Sequence, residues 1–216
     1  MSSPQLQRLS TPRAAAIAGV LFALLFGAAL IFIRLALPEG AEPGTQWTDA
    51  AGDRIRIASI LIPFAGIAFL WFIGVVRDGF GGFEDKFFSS VFIGSGLLFL
   101  AMTFASSAVG VALVHSGSED AVFGQALLLT LSKTYALRMA AVFMMSLATI
   151  WLKTGLMPRW LVGVTYVVAV GLLLASDITM WLVLAFPTWV LVVSVLLLVR
   201  AGVIDLDREK RDHAAS

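Results

Sequence analysis

Few residues in this chain of 216 carry chemistry, and the most demanding of them is an arginine. Between Arg138 and Lys153 lie fourteen uncharged residues, which as a helix span about 21 Å, short of the roughly 30 Å hydrocarbon core of a bilayer. Arg138 is therefore expected inside the membrane, about 22 Å from the boundary marked by Lys153. A guanidinium at that depth needs a counter-charge or water. The same rise per residue puts Asp177 at about 24 to 26 Å and Thr103 at about 24 Å, with Ser106 slightly above. Two chemistries fit this layer. Arg138 and Asp177 can form a structural ion pair that locks the fourth helix against the hairpin that follows it, with Asp177 equally suited to cap the last helix. Alternatively, Arg138, Asp177, Thr103 and Ser106 line an outward-facing polar pocket for an anionic or amphiphilic solute.

Other chemistries lack their residues. Cysteine is absent, which removes disulfides, thiolate metal sites and thiol redox chemistry together. His115 falls in a loop and His213 in the tail, so haem held by two imidazoles within the bundle is not expected. The stretch Ile93-Gly94-Ser95-Gly96 lacks the leading glycine of a serine-hydrolase elbow, and no membrane histidine is available as its base. No carboxylate cluster, deep lysine or Gly-rich phosphate loop is present, and Met139, Met144 and Met145 read as packing. No catalytic residue, metal or cofactor is expected, and the protein is read as not an enzyme. Net charge is +1 without a basic patch interleaved with aromatics, so nucleic acid is not an expected partner.

The elements that must position these residues follow from hydropathy. With 59% hydrophobic and 13% charged residues and a mean hydropathy of +0.94, the class is an all-α polytopic membrane protein. Six transmembrane helices in one bundle are expected, at about 14–37, 57–77, 87–114, 133–153, 158–176 and 178–200, after an N-terminal segment 1–13 and before a tail 201–216. The first is read as a retained anchor, too long for a signal-peptide core. Along it Ala15, Gly19, Ala23 and Gly27 recur every fourth residue, a seam that admits another backbone. Arg34 should snorkel at the outer boundary, with Lys133 close to the same level.

Residues 38–56 read as a loop, and 121–131 either lie at the interface or extend the fourth helix. Pro63 and Pro187 are expected to interrupt the second and sixth helices. Gly155 should cap the fourth helix and Pro158 open the fifth. The charged tail is expected to fray. With six crossings the termini share a side that carries ten of the fifteen Lys and Arg residues, which makes both termini cytoplasmic. No internal repeat of the transporter kind is visible.

The opening TPRAAAIAGVLFALLFG of 11–27 and the junction LKTGLMPRWLVGV of 152–164, where a Pro-Arg-Trp triplet starts a helix, resemble a bacterial family of six-helix membrane proteins known as a domain of unknown function (DUF4386 type). The resemblance implies a bacterial inner (plasma) membrane location and an all-helical fold, and brings no activity and no site residues. The expected function is structural or accessory, with the lipid bilayer and a second copy or another membrane protein as partners and the helix-one seam as one route to self-association. The alternative is a small transporter or binding protein that uses the pocket around Arg138.

Overall fold

Backbone polar groups inside a bilayer must bond within their own segment, and the apolar stretches do so by coiling into helices. The computed structural model describes residues 11–37, 49–79, 86–116, 121–175 and 180–214, with side chains described over 16–37, 51–79, 86–115, 122–174 and 182–199. In chain order the elements are α1 (Thr11–Ala36), α2 (Asp49–Asp78), α3 (Lys86–Ser116), α4 (Ala121–Leu129), a π-helical segment (Thr130–Ala136), α5 (Leu137–Thr154), α6 (Arg159–Ala175), a 3-10 turn (Met180–Leu184) and α7 (Ala185–Ala214). Among the described residues the chain is all-helical. Five stretches are long and apolar enough to cross a membrane: Ala16–Ala36, Ala51–Asp78, Lys86–His115, Val122–Thr154 and Leu182–Val199. The apolar α6 is shorter, 17 residues, or about 26 Å at the usual rise.

Several expected boundaries move. Residues 49–56 belong to α2 and not to a loop, because Ala51, Ile55, Ala58 and Ile62 form a buried stripe at helical spacing. The stripe carries the helix past the charges of Asp53, Arg54 and Arg56, which a hydropathy window reads as an end. Arg54 Nη1 then donates to the Leu35 carbonyl at 2.6 Å, closing the last turn of α1. The stretch 121–131 extends the fourth rod outward, so that α4, the π segment and α5 run without a break. Pro63 lies within an unbroken α2. Pro187 lies in the first turn of α7, just after the 3-10 turn Met180–Leu184, so the expected sixth helix changes from 3-10 to α winding beside it. The tail continues α7 as far as Ala214.

At the other end of the rod Gly155 closes α5 at φ 66°, a left-handed conformation that costs glycine nothing. Pro158 follows, and its carbonyl accepts from the Leu161 N–H at 3.0 Å as α6 begins. Lys153 Nζ sits 4.5 Å from the centre of the Phe88 ring, pinning the end of α5 to the start of α3.

The helices pack α1 on α2 and α7, α3 on α2 and α5, and α6 on α5. Their common centre is aromatic. Phe22 of α1, Phe69 of α2, Phe99 of α3, Phe143 of α5 and Phe186 of α7 are all at most 1% exposed. Phe69 is the hub: its ring lies 4.6 Å from Phe22, 5.1 Å from Phe143, 5.3 Å from Phe99 and 5.8 Å from Phe186. Tilted and edge-to-face pairs of this kind add about 0.5–1.5 kcal/mol each to the burial itself.

Candidate functional site

The region around the π segment holds Ser106 of the expected site. Its framework is a set of hydroxyls bound to carbonyls. The π segment replaces i→i+4 bonds by i→i+5 bonds over Thr130–Ala136, which disturbs the carbonyl ladder of the preceding turn. Side-chain hydroxyls reach carbonyls of that turn. Thr130 Oγ1 donates to Ala126 O at 2.8 Å, and Ser132 Oγ reaches Leu128 O at 2.8 Å and Leu129 O at 3.3 Å. Ser106 of α3 donates to the same Leu128 carbonyl at 3.0 Å, with its own side chain buried. One carbonyl thus joins the rod to α3. In the apolar medium each such bond replaces one that water would supply elsewhere.

The structure separates the expected site residues. Ser106 makes the interhelical contact just described, whereas Thr103 is buried and returns its hydroxyl to Phe99 O of its own helix at 2.8 Å. Arg138 is half-buried in the first turn of α5, directly after the π segment. Asp177 lies outside the described residues, so the Arg138 and Asp177 pairing has no described geometry. On α1, Gly19 is the tightest point of the seam. A methyl group placed there would meet the Ser194 hydroxyl at only 2.0 Å and the Phe72 ring at 2.8 Å. Ala23 is also buried, a Cβ at Gly27 would meet nothing within 4 Å, and the side chain of Ala15 lies outside the described set. The middle of the seam is therefore filled by the chain's own α2 and α7.

A cavity of about 70 Å³ opens where the last turns of α1, the π segment and the start of α7 meet. Arg34 and Lys133 line it together with Ser132, Leu30, Ile33 and Val183. Nη1 of Arg34 is buried. Two cations that sequence reading placed singly at one boundary thus share one wall. Equal depth was legible; adjacency depends on which helices pair, and no local signal carries that.

A second, apolar groove of about 600 Å³ lies between α6 and α7, bordered by Trp160, Val164, Val168, Trp189 and Val192. It is bridged where Trp189 Nε1 donates to Thr165 Oγ1 at 2.9 Å. Thr149 and Tyr166 share a hydrogen bond of 2.6 Å that holds α5 to α6. These two bonds join helices, whereas Ser146, Thr154 and Ser194 return their hydroxyls to carbonyls of their own helices. Among the described residues no three histidine, aspartate or glutamate side chains gather as a metal set. Comparison with family models, with curated proteins and with solved structures finds no match to this chain in any of the three.

Proposed function

We propose that the chain is a non-catalytic, accessory integral membrane protein that acts through its lateral surface and not through a path across its centre. The observation that carries this reading is the aromatic hub, in which rings from α1, α2, α3, α5 and α7 meet around Phe69. A centre packed to contact leaves no continuous polar route, and a solute would have to displace several buried rings at a cost of kilocalories each.

Six crossings with both termini cytoplasmic, in a bacterial inner membrane, complete the proposal. The Lys and Arg asymmetry supports the orientation. The exposed Trp160 at the start of α6 suits an interfacial anchor for a sixth, short crossing that a locally thinned bilayer accommodates. Since Gly19 and Ala23 are enclosed within the chain, a partner would meet the bundle away from the middle of α1. Reconstitution into liposomes tests the reading. Ion and small-solute leakage should equal that of protein-free vesicles, and a saturable flux of any one solute would overturn it.

A further inference from the structure

We propose that the cavity between α1 and the π segment is a binding site for the phosphate headgroup of an anionic phospholipid from the leaflet at that end. Three observations converge on it. First, Arg34 and Lys133 come from elements about a hundred positions apart in the chain and line one cavity of about 70 Å³, several times the roughly 10–15 Å³ that one water requires. Second, apart from Ser132 the remaining lining among the described residues is aliphatic, including Leu30, Leu129 and Leu184. The hydroxyl of Ser132 is already donated to Leu128 O, so recognition there is by charge and not by a cage of neutral donors. Third, the wall continues onto the outside of the bundle. Ile31 and Leu35, which also line the cavity, are 47% and 53% exposed.

A small soluble anion would use the two cations and find the aliphatic wall useless. A lipid uses both, with its phosphate at the cations and an acyl chain along Ile31. Depth agrees: Arg34 is eighteen residues beyond Ala16, where the first apolar span begins, or about 27 Å along the axis, which is headgroup level for a core of roughly 30 Å. Basic pockets between membrane helices on the cytoplasmic side hold anionic headgroups by charge, and the same chemistry applies here at the outer leaflet, where the proposed orientation puts the Arg34 end.

The test is lipid retention by the full chain. Purified protein is exchanged into nanodiscs of phosphatidylcholine containing a minor share of phosphatidylglycerol, and retained lipid is read by native mass spectrometry. The expected result is a phosphatidylglycerol adduct enriched several-fold over its share of the bilayer. Arg34→Gln and Lys133→Gln should each lower the enrichment several-fold. Leu129→Trp, which fills the slot and keeps both cations, should abolish it, while Arg77→Gln at the opposite end should leave it unchanged. Circular dichroism melts establish that each variant is folded, and if Arg34→Gln fails to fold, the Lys133 and Leu129 variants decide. No enrichment in the natural protein, enrichment indifferent to these variants, or displacement of the adduct by millimolar inorganic phosphate would each overturn the proposal, the last by assigning the cations to a free anion.

Discussion

Along the rod formed by α4, the π segment and α5, the stretch beyond Arg138 is packed mainly by buried rings and aliphatic side chains, with Thr149 as the hydroxyl that reaches another helix, whereas around the π segment hydroxyls from two elements converge on the rod's carbonyls. In the first, Phe143, Met144, Leu147, Ala148 and Ile150 are buried at no more than 2% exposure. In the second, Ser132, Lys133 and Thr134 are only half-buried, and Ser106 and Ser132 converge on one carbonyl. Dispersion packing has one good arrangement and loses heavily when an atom is removed. A hydroxyl between helices contributes less, about 0.6 kcal/mol on average in membrane proteins, because the separated helices find other partners for it. One continuous helix therefore combines a rigid half with an adjustable one, and the cation-lined cavity sits beside the adjustable half.

The contrast can be broken most directly at its hub. Phe69→Ala should destabilise the protein by about 3–5 kcal/mol, read as a lowered midpoint in unfolding by sodium dodecyl sulfate. A cost below about 1 kcal/mol would mean that the rings do not organise the centre. A smaller effect is expected at the close approach of α1. Gly19→Ala forces a methyl group onto Ser194 and Phe72 and should cost about 1–3 kcal/mol. Combining it with Ser194→Ala, which removes one of the two obstructions, should recover part of that loss as a coupling of at least about 0.5 kcal/mol. Strict additivity would place α1 differently. The smallest and sharpest comparison is between two hydroxyls on α3. Ser106→Ala removes a bond between helices and should cost about 0.6 kcal/mol, with faster amide exchange over 130–136. Thr103→Val removes a bond within one turn and should stay within about 0.5 kcal/mol with exchange unchanged. Equal behaviour of the two would erase the distinction between clamp and local bond.

The helical membrane class was legible because long apolar runs have few other solutions. So was the break between α5 and α6, where Gly155 and Pro158 each act locally. What hydropathy hid was the start of α2, since Asp53, Arg54 and Arg56 mask a stripe that only the spacing of Ala51, Ile55 and Ala58 reveals. At Pro187 the expected interruption takes the form of a change from 3-10 to α winding, which only the neighbouring backbone specifies. Of the expected site, the common layer of Arg138, Thr103 and Ser106 is an expectation from the rise per residue, and the contact the structure gives Ser106 is with the Leu128 carbonyl, ten positions before Arg138 in the rod. The division of labour between Thr103 and Ser106 was not legible, because helix facing at that resolution depends on the π segment. A run such as Thr130-Leu131-Ser132-Lys133-Thr134 gives only a hint of it, in hydroxyls that donate to carbonyls of the preceding turn.

The π segment also sets the angular phase between the two halves of the rod. A π turn is equivalent to one residue inserted into an α-helix, and each residue advances the chain by about 100° around the axis. Excision of a single amino acid from 130–136 would leave the length nearly unchanged yet swing Gly124 and Leu128 away from Leu113 and Ser106, which they now meet. Frame in this region is thus constrained by rotation, and relatives of this chain should tolerate substitutions there far better than a one-codon gap.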